Sequence, residues 1–66
     1  MQVIINGTIH SLSQPVTLTT LIEQLALKPE RVAIELNGLI QPRAQWSEVV
    51  LQDGDRLEIV HFVGGG

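Results

Sequence analysis

Hydrophobic residues recur along this chain with two different periods, which predict strands toward both ends and a helix between them. The first residues, MQVIIN, are rich in β-branched side chains and predict a strand, and TIHSLS predicts a return strand beside it. The stretch LTTLIEQLAL instead places leucine or isoleucine at i, i+3, i+4 and i+7, which is the stripe of an amphipathic helix. RVAIEL and LIQ predict a second pair of strands, and RLEIVHFV predicts the last strand.

Turn and cap residues indicate where these elements begin and end. Asn6-Gly7 and Asn37-Gly38 favour the positive φ angles of type I′ turns, so each predicts a two-residue hairpin. Thr17 is placed to cap the helix, and Pro29 is expected to stop it. Asp53-Gly54-Asp55 predicts a tight turn before the last strand. The predicted order is therefore strand, strand, helix, strand, short strand, loop, strand.

Two hairpins with a helix between them can form one mixed sheet that is covered on a single face. The first and last strands are expected to lie side by side and parallel at its centre, a pairing that a short hairpin could not connect. This is the α+β arrangement called the β-grasp, found in ubiquitin-like domains. We expect residues 1–63 to form the β-grasp domain and residues 64–66 to form a flexible C-terminal glycine tail.

Composition narrows the class of protein. Sixty-six residues suffice for one domain with a small core. The sequence has no cysteine, which excludes a disulfide scaffold, a thiolate zinc site and a cysteine nucleophile. The net charge of −3 disfavours nucleic-acid binding. Met1 leads into QVII without a basic leader, and no apolar run is long enough for a membrane span, so we expect a cytoplasmic protein.

Few side chains suggest catalysis. His10 and His61 are the only histidines and have no carboxylates at ligand spacing, so we expect no metal site. Asp53-Gly54-Asp55 lacks the other ligands of a calcium loop and favours a turn. Trp46 is expected to close the open end of the core, with Arg43 packed or paired nearby. The sequence therefore predicts a protein that is not itself an enzyme.

One face of the predicted sheet carries several apolar residues. Alternation along the strands places Ile4, Val60 and Phe62 on the face opposite the helix, and the turn at Asn37-Gly38 adds Ile40 to that face. Scattered exposed aliphatic residues are ordinary, and they are the alternative interpretation. We expect a contiguous patch that docks a partner protein and leads into the tail.

The last three residues, Gly64, Gly65 and Gly66, span roughly 10 Å when extended. Glycine has no Cβ, so such a tail can enter a passage that excludes other residues. An α-carboxyl group with a pKa of about 3.3–3.7 is ionised at neutral pH and is a poor electrophile until it is activated, for example as an acyl-adenylate. We expect the carboxylate of Gly66 to be the working group, activated by a partner that binds ATP.

Longer segments of the chain resemble a known family. The resemblance lies in the segments MQVIING, LTTLIEQL, VAIELNGLIQPRAQW and LQDGDRLEIVHFVGGG. The chain resembles the ThiS family, the sulfur carriers of thiamine biosynthesis within the wider ThiS/MoaD and ubiquitin-like group. The segments NGLIQPRAQW and DGDRLEIVHFVGGG are the specific ones. Gly65 and Gly66 match the terminal glycine pair of the family's functional motif.

The resemblance implies a carrier whose C-terminus is modified by partner enzymes. An E1-like adenylyltransferase (ThiF) would use ATP to adenylate Gly66, and a desulfurase system would supply sulfur that originates from cysteine. The resulting thiocarboxylate would donate its sulfur to a thiazole synthase (ThiG), and the carrier itself would bind no cofactor. Three alternatives remain open: a molybdopterin-synthase small subunit (MoaD), a ubiquitin-like modifier joined to lysine through Gly66, and a β-grasp interaction module whose glycines are incidental.

Overall fold

A computed structural model describes residues 1–62, which form a five-stranded mixed sheet with one helix across a single face. The elements in chain order are β1 (Gln2–Ile5), β2 (Thr8–Ser11), α1 (Leu18–Gln24), a first 3₁₀ helix (Pro29–Arg31), β3 (Val32–Leu36), β4 (Leu39–Ile40), a second 3₁₀ helix (Arg43–Glu48) and β5 (Arg56–His61). The strand order is β2-β1-β5-β3-β4, and β1 and β5 are parallel. The predicted element order and the parallel pairing of first and last strands are confirmed.

Both hairpins turn through the Asn-Gly pairs that the sequence indicated. The φ angles are 49° and 82° at Asn6 and Gly7, and 50° and 87° at Asn37 and Gly38. These positive values at both central positions belong to type I′ turns. Ile5 pairs with Thr8 across the first turn, as the prediction of a two-residue loop requires. Leu36 and Leu39 pair in the same way across the second.

The two turn asparagines also attach their hairpins to β5. The Asn6 side chain accepts a hydrogen bond from the Ile59 N–H at 2.8 Å and donates one to the Ile59 carbonyl at 3.1 Å. The Asn37 side chain accepts one from the Arg56 N–H at 3.0 Å. A glycine could adopt the same φ angles, but only a side-chain amide can also bond the strand. The turn residues therefore help hold the central strand in register.

Helix α1 begins as predicted but ends earlier than the sequence pattern indicated. Thr17 caps its first turn by accepting a hydrogen bond from the Thr20 N–H at 3.1 Å. The helix ends at Gln24 because Ala26 adopts a left-handed conformation, with φ of 58°. The N–H of Ala26 bonds the Glu23 carbonyl, and the N–H of Leu27 bonds that of Ile22. This is a Schellman cap, in which glycine is the usual residue at the position of Ala26.

Replacement of Ala26 by glycine is expected to stabilise the domain. The left-handed conformation costs an L-residue about 1–2 kcal/mol, whereas glycine adopts it without strain but loses more entropy on folding. A net gain of about 0.5–1 kcal/mol should raise the unfolding temperature by at least about 2 °C for a domain of this size. Ala44→Gly in the second 3₁₀ helix is the matched control and should destabilise. A lower unfolding temperature for Ala26→Gly would contradict this account of the cap.

The core lies between α1 and the sheet and is closed at one side by the second 3₁₀ helix. Its buried hydrophobic residues are Val3, Ile5, Val16, Leu18, Leu21, Ile22, Val32, Ile34, Trp46, Leu51, Leu57 and Ile59. Trp46 is 3% exposed, and its indole N–H donates to the Gln41 carbonyl at 2.8 Å. Arg43 lies over the Trp46 ring, 5.6 Å from the centroid, and donates to the Pro29 carbonyl. The structural role predicted for these two residues is confirmed.

Candidate interaction surface

We call the sheet face opposite α1 the open face, and its composition follows from strand pairing. Val3 and Ile5 are buried against the helix, so Ile4 between them points to the open face. Ile4 pairs with Ile9 of β2, which is 63% exposed. Directly paired residues share a face, so the two isoleucines form a first apolar group.

Two further apolar side chains lie on the other half of the open face. Val60 of β5 pairs with Ala33 of β3, and its side chain is 57% exposed. Ile40 of β4 is 67% exposed and pairs with Glu35, which in turn pairs with Glu58. Val60 and Ile40 therefore lie on the open face, two strands apart and separated diagonally by Ala33 and Glu35.

The expectation of one contiguous apolar patch is wrong, because charged side chains divide the open face. Arg56 is the β5 residue that pairs with Ile4, and Glu58 follows it on the same face. Val60 lies four residues beyond Arg56, so it is about 13 Å further along the sheet. The alternation of RLEIV places all three of these β5 residues on one face. The open face thus carries one apolar pair, Ile4 with Ile9, and two separate apolar side chains, Val60 and Ile40. A charged band of Arg56, Glu58 and Glu35 runs between them.

Phe62 lies one residue beyond the end of β5. Its N–H donates to the Arg31 carbonyl at 2.8 Å, which extends the pairing of β3 and β5 by one residue. Its ring is 53% exposed. Phe62 therefore marks the point at which the chain leaves the sheet.

Sequence reasoning missed Ile9, although the signal was present. The Asn6-Gly7 turn pairs Ile5 with Thr8, so the next pair outward must be Ile4 with Ile9. Gly64, Gly65 and Gly66, predicted to carry the chemistry, lie outside the described residues. The docking role of Ile4, Ile40, Val60 and Phe62 remains a prediction.

The remaining polar candidates have structural partners. Asp53 accepts a hydrogen bond from the Gln2 N–H, and Asp55 accepts one from the Gln52 N–H, both at 2.7 Å. The second bond lies within the tight turn before β5, and the first joins that turn to β1. Among residues 1–62, no group of three histidine, cysteine, aspartate or glutamate side chains could hold a metal ion. Over the same residues, no helix is long and apolar enough to cross a membrane.

A mixed sheet of this order, with one helix across a single face, defines a β-grasp domain of the ubiquitin-like class. The model of the ThiS family matches residues 3–66, and the chain belongs to that family. The sulfur carrier protein ThiS of Escherichia coli (strain K12) is 32% identical over 66 residues, the full length of both chains. The crystal structure of the thiamine biosynthesis protein ThiS from Geobacter metallireducens is similar with a TM-score of 0.86, at 30% identity and with complete coverage of both chains.

Longer proteins also contain a segment similar to this chain. A thiazole synthase of Magnetococcus marinus is 41% identical over 66 residues, and one of Paramagnetospirillum magneticum is 39% identical over the same length. The chain spans only 20% of the length of each of these two relatives. The similarity therefore concerns one part of those proteins, and the rest of each has no counterpart in this sequence.

Proposed function

We propose that this chain is a sulfur carrier of thiamine biosynthesis that bears sulfur on the carboxyl group of Gly66. The observation that carries the proposal is the end-to-end similarity to the Escherichia coli sulfur carrier ThiS, in a family whose model reaches residue 66. The body supports it, because β5 ends at His61 and leaves only a short segment between the sheet and Gly66. The chain is then a co-substrate for other enzymes and not a catalyst.

The chemistry needs two steps that a partner must supply. A carboxylate oxygen of Gly66 attacks the α-phosphorus of ATP, so that an acyl-adenylate forms and pyrophosphate leaves. A sulfide equivalent, released when a thiol reductant reduces the persulfide sulfur of a desulfurase system, then attacks the acyl carbon, and AMP leaves together with a proton. The product is a thiocarboxylate, whose sulfur passes to a thiazole synthase before the carboxylate is restored. An E1-like adenylyltransferase binds the ATP for the first step.

The body contributes a surface that partners recognise. We assign docking to the open face, through Ile4, Ile40 and Val60, and to Phe62 where the chain leaves the sheet. Apolar groups of this kind suit burial in a protein interface, and the charged band between them fixes orientation. The two thiazole synthases that contain a similar segment support a thiazole synthase as one of the partners.

Intact-mass measurement tests the proposal. The chain is incubated with its cognate adenylating enzyme, ATP, a cysteine desulfurase, cysteine and a thiol reductant. A mass increase equal to the replacement of one oxygen by sulfur, dependent on ATP, is the expected result. Adducts joined to lysine through an isopeptide bond would instead identify a protein modifier. An unchanged mass under all conditions would refute both and leave an interaction module.

A further inference from the structure

A shallow groove lies where the loop after α1 meets the end of β5. Its volume is about 370 Å³, and it is lined by Ala26, Leu27, Lys28, Arg31, His61 and Phe62. The first three residues follow the C-terminus of α1, Arg31 ends the first 3₁₀ helix, and His61 ends β5. The groove thus adjoins the place where the chain leaves the sheet toward its glycines.

This groove concentrates positive charge in an acidic protein. The whole sequence has four lysine and arginine residues and two histidines at a net charge of −3. The groove is lined by Lys28, Arg31 and His61, so it contains two of the four lysine and arginine side chains of the sequence. Of the other two, Arg43 bonds the Pro29 carbonyl, and Arg56 lies at the start of β5.

Some of the negative charge of the protein lies at the opposite end of β5. Asp53 and Asp55 precede that strand, and Asp55 is about 20 Å from His61 along the extended chain. Glu30 is exposed and adjoins Arg31 in the sequence, but it does not line the groove. The lining of the groove is therefore cationic, and the groove adjoins the end of β5 from which the chain continues to Gly66.

The backbone around the groove indicates what kind of anion it suits. Phosphate sites commonly use converging free N–H groups. Here the N–H groups of Ala26, Leu27, Arg31 and Phe62 bond the carbonyls of Glu23, Ile22, Lys28 and Arg31 respectively. These four N–H groups are thus already bonded within the chain, and the long side chains of Lys28 and Arg31 carry the positive charge of the groove. The apolar side chains of Leu27 and Phe62 beside them suit a peptide that carries both carboxylates and apolar groups.

We propose that this cationic groove binds an acidic segment at the rim of the partner active site that receives Gly64–Gly66. The inference rests on the proposed function and adds a recognition element to it. Carboxylates on the partner engage Lys28 and Arg31 while apolar side chains pack on Leu27 and Phe62. Opposite charges then attract the cationic groove of the carrier first, so the tail approaches the active site in the correct orientation.

The test is a double substitution, Lys28→Gln with Arg31→Gln, assayed by ATP–pyrophosphate exchange with the cognate adenylating enzyme. The KM for the carrier should rise about tenfold at low salt while kcat stays unchanged, because charges at the edge of an interface act mainly on encounter. The difference should shrink in 1 M salt, where the Debye length is about 3 Å. Both substituted residues are exposed, so the unfolding temperature should match that of the unchanged chain.

A matched control separates the groove from net charge. Ser13→Glu with Gln14→Glu lowers the net charge by the same two units, from −3 to −5, at exposed positions. These residues follow Leu12, whose N–H bonds the Met1 carbonyl at the start of β1, so they lie toward the end of the sheet opposite the groove. The control should leave KM close to that of the unchanged chain.

Four results would overturn the proposal. An equal rise in KM for both variants would assign the effect to net charge alone. Titration of the free carrier with inorganic phosphate, if it shifted amide NMR signals only at Lys28, Arg31 and His61, would assign the groove to phosphate. Normal kinetics in the Lys28→Gln, Arg31→Gln variant would refute the groove while the proposed function stands. If the unchanged chain supports no exchange at all, the proposed function itself fails, and the groove proposal fails with it.

Discussion

Removal of Gly66 is expected to abolish ATP-dependent activation of the chain while leaving its folded body intact. Each residue of an extended chain contributes about 3.3–3.6 Å of reach, so the shortened tail would hold its carboxylate that far from the position of attack. A displacement of only 1 Å from a reactive geometry can lower a rate by about 100-fold. We therefore expect ATP–pyrophosphate exchange to fall by at least about 100-fold.

The unfolding temperature of the truncated chain should be measured together with its activity. Its unfolding temperature should equal that of the full sequence, because the core consists of residues 3–59. Binding to the adenylating enzyme should persist, since the proposed docking residues of the open face are unchanged. Exchange at a comparable rate after removal of Gly66 would show that this carboxylate is not the working group.

Leu57→Ala is expected to have the largest effect on stability among the substitutions considered. Leu57 is fully buried on the central strand, and it pairs with Ile5 on one side and Leu36 on the other. Removal of a buried leucine side chain costs about 2–5 kcal/mol. A domain of this size has little stability in reserve, so its unfolding temperature should fall by at least about 8 °C.

Val60→Thr on the same strand is the matched comparison, because it changes the open face and not the core. Threonine has nearly the same shape and is well accepted in strands, so the free energy of unfolding should change by less than about 0.5 kcal/mol. Binding to the adenylating enzyme should weaken by about 1 kcal/mol, or roughly fivefold, if Val60 is buried in the interface. A stability loss comparable to that of Leu57→Ala, with unchanged binding, would place Val60 outside the interface.

Most of the fold could be predicted because its signals are local. The two Asn-Gly pairs fix their own φ angles and with them the register of each hairpin, and Thr17 caps the helix within one turn. The parallel pairing of β1 and β5 followed from chain connectivity. The end of α1 could not be predicted in this way, because Ala26 carries no local signal for a left-handed conformation. Only the complete Schellman cap, packed in the finished structure, makes that conformation stable.

The sheet face that each candidate side chain occupies could be predicted, but the arrangement of those side chains on the surface could not. Alternation indicates which face a side chain occupies, yet it does not say how far apart two residues lie along the sheet. The interruption between Ile4 and Val60 depends on the offset between β1 and β5, which pairs Ile4 with Arg56. The groove was missed for a related reason. It joins residues 26–31 to residues 61–62, and their proximity appears only when β3 and β5 pair.

The central position of β5 has a consequence for synthesis of the protein. A nascent chain that stops before Arg56 contains two hairpins and a helix, but it lacks the strand that joins them. Isolated hairpins are marginally stable in water, so such a chain has no complete sheet to cover its apolar residues. Folding therefore waits for translation of almost the whole sequence. Any partner that recognised the folded body would thus bind only molecules that have been translated at least as far as β5, and it would pass over shorter, aborted products.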